Sequence, residues 1–263
     1  MSLTIADGPL SGRAPDTTNY ELNGPAHNLL MHPFPRRVRA VFGGETVADT
    51  MRGMLLHETG LLPQLYFPEA DIRAELLEPT EHSTHCPFKG DASYRSARVG
   101  DRVAENAVWS YPRPMPAASW LAGYAAIYWD SMDEWWDEDE RVHGHLRDPY
   151  HRVDVRASAR HVRVFDGDQL VADADRPFLL SETGLPNRFY LRREDVRTDL
   201  LRPTETRTVC PYKGTASYLG RDGRDLAWSY EDPLDDAVKI TGLVCFDPAQ
   251  ATVEVDGERL PAV

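Results

Sequence analysis

The feature that most constrains the fold is an internal repeat. Residues from Val38 onward match residues from Val162 onward at a constant offset of 124. Between Glu58 and Tyr94, 20 of 37 positions are identical to their counterparts. A match of this length at one spacing is the signature of a duplicated structural unit. We therefore predict two tandem copies of one small domain.

The repeat also sets the predicted domain boundaries. We assign residues 37–142 to the first copy and residues 160–263 to the second. Residues 1–36, rich in Pro, Gly, Asn and Asp, are predicted to form an extended arm, and residues 143–159 a polar linker. Each copy has about 100 residues, enough for a modest core of its own. Two fused like domains also favour an intramolecular pseudo-dimer or a homo-oligomer.

Short segments bounded by Gly and Pro predict an all-β fold with short helices. The residues before Gly43-Gly44 alternate in polarity and the alternation resumes at Glu45, which is typical of a hairpin. The second copy lacks five residues in a Gly-rich, charged stretch, which indicates a hairpin loop. Many short strands of this kind are typical of a small barrel or sandwich. No strand–helix alternation is visible, which disfavours a doubly wound α/β fold.

Composition excludes several classes of partner. The net charge of −13 argues against nucleic-acid binding, which needs a basic face. No apolar run approaches the roughly 20 residues of a membrane span, and no signal pattern opens the chain. The three cysteines form no disulfide framework and fit a reducing compartment, so we expect a cytoplasmic protein. No nucleotide-binding loop motif occurs, so no cofactor is expected.

The strongest chemical signal is the motif Cys86-Pro-Phe-Lys89-Gly90, repeated at residues 210–214. Lysine is rare in this chain, yet two of its three lysines occupy equivalent positions in this motif. Lys89 could bind an anion, donate a proton or act as an amine nucleophile, and Cys86 could be a nucleophile. The alternatives are a structural ion pair for the lysine and a small buried side chain for the cysteine. An extended motif would separate the two side chains, whereas a tight turn would let them converge.

A glutamate that precedes Thr-Gly in both copies is the second candidate. Glu58 could serve as a general base or as the partner of the lysine, and the alternative is a structural ion pair. Aromatic residues that recur in both copies are candidates for pocket walls or for core packing. The predicted catalytic residues are Lys89, Glu58 and Cys86, and the predicted ligand-binding residues are Tyr66, His85, Tyr94, Trp109, Tyr111, Lys213, Glu182 and Trp228.

A metal site is a further alternative in the first copy. Three histidines and a cysteine lie near the motif and are suitable ligand types. The second copy replaces all three histidines, so we assign no metal and expect the first copy to carry any acid–base chemistry. The residues concerned are His57, His82, His85 and Cys86, and the replacements are Ser181, Thr206 and Val209.

The motifs resemble a bacterial and fungal family catalogued as domain of unknown function 427, which is also labelled nucleotidyltransferase-like. The resemblance implies a compact, mostly β domain similar to the β-tent folds. Many β-tent relatives bind zinc through four cysteines, whereas this chain has one cysteine in each motif. The matching segments are residues 58–60, 76–80, 84–90, 92–94, 105–112 and 123–129 and their counterparts in the second copy.

Three functional hypotheses follow from the sequence. The first is an enzyme that acts on a small polar or aromatic molecule through Glu58, Cys86 and Lys89. The second is a binding module that uses the same pocket for a small molecule without turnover. The third is a scaffold in which the repeated motifs are core and turn residues.

Overall fold

The structure is a computed structural model in which residues 25–262 are described. The chain divides into two compact units, the first ending at Asp148 and the second beginning at Pro149. Each unit contains an antiparallel seven-stranded sheet and an antiparallel four-stranded sheet. The prediction of tandem all-β domains is confirmed.

The first unit is built from eleven of the described strands. Its seven-stranded sheet has the order β1-β4-β5-β9-β8-β7-β6, and its four-stranded sheet has the order β11-β10-β2-β3. The strands are β1 Leu29–Pro33, β2 Val38–Phe42, β3 Glu45–Thr50, β4 Met54–Glu58, β5 Gln64–Pro68, β6 Leu77–Cys86, β7 Gly90–Val99, β8 Arg102–Ser110, β9 Tyr124–Ile127, β10 Glu134–Asp137 and β11 Glu140–Val142.

The second unit repeats this topology strand for strand. Its sheets have the orders β12-β15-β16-β20-β19-β18-β17 and β14-β13-β21-β22. The strands are β12 Val153–Ala157, β13 Val162–Asp166, β14 Gln169–Ala174, β15 Phe178–Glu182, β16 Leu185–Leu191, β17 Arg202–Cys210, β18 Gly214–Arg221, β19 Arg224–Ser229, β20 Val244–Phe246, β21 Thr252–Val255 and β22 Glu258–Arg259. Short 3-10 helices complete the described structure: Glu69–Asp71, Ala74–Leu76, Pro116–Leu121, Trp129–Ser131, Arg193–Asp195 and Asp235–Ile240.

The first strand of each large sheet lies outside the copies that the sequence delimits. Strand β1 falls within the predicted arm and β12 within the predicted linker, and each pairs along its full length with the next strand of its sheet. Backbone N–H groups just before each strand reinforce the pairing, because Asn28 and Arg152 each donate to a threonine hydroxyl at 2.9 Å. Residues 1–24 of the predicted arm lie outside the described residues.

Both faces of the seven-stranded sheet are covered. Along β5, Leu65 and Phe67 belong to one buried cluster, whereas Tyr66 belongs to another. Successive residues of a strand point to opposite faces, so the two clusters lie on opposite sides of the sheet. The second cluster also contains Leu121 of a 3-10 helix. The second unit has the same arrangement around Tyr190.

The length difference between the copies falls where the sequence predicts it. The β7–β8 hairpin of the first unit has strands of ten and nine residues, and the β18–β19 hairpin has strands of eight and six. The missing residues therefore shorten one hairpin and leave the rest of the sheet intact. Among the described residues, no helix is long and apolar enough to cross a membrane.

Candidate functional site

The centre of the candidate site is a carboxylate held by two basic side chains. Glu58 ends β4 and shares the face of Tyr66, because alternate residues of β4 point to that side of the sheet. Its Oε2 atom accepts a hydrogen bond from the ammonium of Lys89, and its Oε1 atom lies 2.9 Å from Nε2 of His27. Glu58 and Lys89 are both more than nine-tenths buried. Burial of charges is tolerated here because each is paired and hydrogen-bonded.

The second unit contains the same three-residue arrangement. Lys213 donates to Oε2 of Glu182, and Nε2 of His151 lies 2.9 Å from Oε1. Burial alone would raise the pKa of Glu182, but the hydrogen bond to His151 and the charge of Lys213 outweigh it and lower that pKa. Glu182 is therefore ionised at neutral pH. The sequence predicts that the first copy carries any acid–base chemistry, yet both copies keep this triad.

A tight turn brings the lysine to the glutamate. The N–H of Lys89 donates to the carbonyl of Cys86 at 3.3 Å, which closes a turn between β6 and β7. Gly90 follows with φ of +104°, and a Cβ atom there would lie 3.3 Å from the carbonyl oxygen of Arg113. Glycine is needed at this position on both counts. Of the two predicted geometries for the motif, the structure has the turn.

Aromatic side chains line an open cavity beside the triad of the second unit. The cavity has a volume of about 240 Å³ and contains Lys213 and Glu182 in its wall. The remaining lining residues are Leu180, Arg188, Tyr190, Cys210, Tyr218, Trp228 and Tyr230. Trp228 donates its indole N–H to the hydroxyl of Tyr190 at 3.1 Å, which fixes both rings. Burial raises the pKa of Tyr230 above its usual range, so its phenol stays a hydrogen-bond donor.

The first unit assembles the equivalent residues from its corresponding strands. Tyr66, Tyr94 and Tyr111 belong to one buried cluster, and Cys86 and Trp109 pack against it. The Lys89 ammonium lies 5.9 Å from the centre of the Tyr111 ring. The structure therefore brings together ten of the eleven predicted site residues, as two equivalent groups in two units: Glu58, Tyr66, Cys86, Lys89, Tyr94, Trp109 and Tyr111, and Glu182, Lys213 and Trp228.

The three histidines considered as metal ligands do not converge on one site. His85 points away from Cys86, is exposed and pairs with Asp91 at 2.7 Å. His57 is fully buried on the opposite face of β4 from Glu58, with Nε2 3.2 Å from Nε2 of His32. His82 packs against the Tyr94 ring. Within the described residues, no three His, Cys, Asp or Glu side chains are arranged to hold a metal ion.

Sequence reasoning missed the two histidines of the triads. His27 and His151 lie in the predicted arm and linker, yet they keep the offset of 124 and each follows a proline by two residues. Extending the repeat comparison upstream of residue 37 would have found them. Each ring also packs against the aromatic residue before the lysine. His27 stacks on Phe88 with ring centroids 3.8 Å apart, and His151 is tilted by 36° against Tyr212 with centroids 4.1 Å apart.

Comparison with known proteins agrees with the repeated architecture. The model of a family described as Domain of unknown function (DUF427) matches residues 30–138 and again residues 154–257. Both matches begin within the first strand of a seven-stranded sheet and include the glutamate and the lysine of the corresponding triad. A search of curated proteins found no match. The chain belongs to the DUF427 family and carries its domain twice in tandem.

Proposed function

We propose that this protein binds a small planar molecule against the aromatic side chains beside each His–Glu–Lys triad. The observation that carries the proposal is the cavity of the second unit, where Lys213 and Glu182 meet the wall of Trp228 and its neighbouring tyrosines. Ligand pockets combine apolar and aromatic walls with a few polar groups that orient the ligand. A volume of about 240 Å³ suits a ligand of one or two rings.

The polar groups of the pocket differ in what they can offer a ligand. Glu182 is already occupied by His151 and Lys213, so its carboxylate orients the lysine rather than accepting from a ligand. An ammonium has three N–H donors, and Lys213 donates at least one of them to Glu182. Its further donors and the phenol of Tyr230 suit a carbonyl or another oxygen acceptor on the ligand.

Binding can be tested through the indole N–H signals of Trp228 and Trp109 in the NMR spectrum of the full chain. Both signals are assigned with Trp→Phe variants, and the protein is titrated with aromatic fragments that carry an oxygen acceptor. We expect hits to move the Trp228 signal. Lys213→Met should weaken them about tenfold or more, because a hydrogen bond from a charged group is lost. Lys239→Met is the matched control, since Lys239 lies outside the cavity lining. Fragments that move neither indole signal of the folded protein would overturn the proposal.

Acid–base catalysis at the same pocket is the second candidate. It is favoured by the chain of three titratable groups, His151, Glu182 and Lys213, that reaches the cavity wall. A group that can pass a proton at neutral pH is a common feature of active sites. Chemical change of a bound fragment, lost in Glu182→Gln while binding persists, would support the enzyme. Binding without change in any hit supports the binding module.

A further inference from the structure

The two units share their triads, but two positions near the triads differ between them. Arg188 of the second unit corresponds to Gln64 of the first at the offset of 124. Beyond the shortened hairpin, where the offset is 119, Asp247 corresponds to Tyr128. The equivalence of this second pair is structural as well, because their backbone N–H groups donate to the equivalent carbonyls of Ala107 and Leu226. Among the residues that line the cavity of the second unit, Arg188 is the one whose counterpart is a different residue. Such a difference between duplicated sites changes what each site accepts.

Arg188 places a positive charge in the wall of the second pocket. It lies two residues before Tyr190 on β16, so both side chains point to the same face of the strand. Both line the cavity, and the guanidinium carbon of Arg188 lies 5.9 Å from the ring centre of Trp228. A guanidinium that lies over an aromatic ring keeps the edges of its fork available for hydrogen bonding.

The charge of Arg188 is not balanced within the pocket. The cavity lining contains Arg188 and Lys213 but one carboxylate, Glu182. That carboxylate is committed to Lys213 and His151. Within the described part of the chain, Arg188 forms no ion pair of its own. The wall therefore offers a net positive charge inside a protein whose overall charge is −13.

The first unit lacks this charge and covers the same wall with a ring. The Gln64 side-chain amide donates to the carbonyl of Leu65 at 3.1 Å, so it is engaged with the backbone. The ring centroids of Tyr128 and Trp109 lie 4.3 Å apart, and the Tyr128 hydroxyl lies 3.5 Å from the hydroxyl of Tyr94. In the second unit Asp247 is short, and its carboxylate instead accepts from a backbone N–H two residues on.

We propose that the pocket of the second unit selects aromatic carboxylates, with Arg188 binding the carboxylate and Trp228 and Tyr218 flanking the ring. The inference rests on the proposed function, because it names the ligand class of the same pocket. Arginine matches a carboxylate with two parallel hydrogen bonds, which an uncharged amide cannot accept in the same way. The first unit, with Gln64 in place of the arginine, does not share this selectivity.

Matched ligand pairs test the inference. The full chain is titrated with benzoate and benzamide, phenylacetate and phenylacetamide, and indole-3-acetate and indole-3-acetamide, while the Trp228 and Trp109 indole signals are followed. At Trp228 we expect each carboxylate to bind about tenfold more tightly than its amide. This factor corresponds to the lower end of the range for a hydrogen bond to a charged group, because Arg188 is half-buried. Arg188→Gln should remove the preference. Arg192→Gln removes a charge just after β16 outside the lining and should preserve it.

The outcomes separate this inference from the proposal beneath it. If carboxylates and amides move the Trp228 signal with equal affinity, or Arg188→Gln keeps the preference, the carboxylate selectivity is refuted and the binding function stands. If no compound of the three pairs moves the Trp228 signal, the carboxylate selectivity is refuted, and the binding function is overturned as well only if the wider set of aromatic fragments moves neither indole signal. A carboxylate preference of equal size at Trp109 would also refute the assignment to Arg188, because the first unit has Gln64 at that position.

Discussion

Breaking the buried ion pair of the first unit should cost far more stability than breaking an exposed one. Lys89 and Glu58 are each more than nine-tenths buried, so Lys89→Met leaves a carboxylate in a poorly solvated site. Loss of one partner of a buried pair typically costs about 3–5 kcal/mol. His27, 2.9 Å from Glu58, can still offset part of the charge, so we expect the lower end, about 3 kcal/mol.

The double variant provides the internal check on this reasoning. Lys89→Met with Glu58→Gln removes both charges, and it should recover part of the free energy that the single Lys89→Met change costs. Arg37 and Asp49 serve as the exposed control, because each is two-fifths exposed and their pair should be worth less than about 1 kcal/mol.

The assay must report the first unit separately, because two units need not unfold in one transition. Hydrogen exchange of peptides from β4 and β7, measured over a series of urea concentrations, gives the free energy of unfolding of that unit. The argument would be refuted if Lys89→Met lowered the free energy of unfolding of the first unit by less than about 1 kcal/mol, the same as Arg37→Met. A loss of about 3 kcal/mol with intact ligand binding in the second unit would show that the pair stabilises its own unit.

Two further predictions concern single titratable groups. Burial lowers the pKa of His57 below its ordinary value, so as the pH falls the unfolded chain is protonated at this residue before the folded chain is. The free energy of unfolding should therefore fall as pH drops below about 6.5 and level off above it, and an NMR titration midpoint of His57 at or above about 6.5 would contradict this. Burial raises the pKa of Cys245 to about 12, so iodoacetamide at pH near 8 should label the half-buried Cys210 in the native protein and spare Cys245. Equal labelling of both would disprove the burial argument.

The sequence predicts the lysine and the glutamate of the site better than it predicts their surroundings. Both residues recur in each copy, and lysine is rare enough in this chain for its repeated placement to stand out. His85 illustrates the limit, because it directly precedes Cys86 in sequence but points to the other side of β6, away from the site. A list of nearby polar residues does not record which face of a strand each one occupies.

The histidines of the triads show a different limit. His27 and His151 lie 31 residues from their glutamates in the chain, and only the pairing of β1 with β4 and of β12 with β15 brings them within 2.9 Å. Contacts across a sheet depend on strand order and register, which a local pattern does not specify.

By itself, the sequence determined that the chain is a tandem repeat, that both copies are β-rich and that one length difference falls in a hairpin. These properties follow from periodicity, turn residues and self-similarity, which are local or purely comparative. Only the tertiary structure decided that Cys86 and Lys89 share a turn, that both units keep a His–Glu–Lys triad and that Arg188 enters the wall of one pocket. The physical reason is that burial, pairing and net local charge arise from residues distant in sequence, which meet only when the sheets have formed.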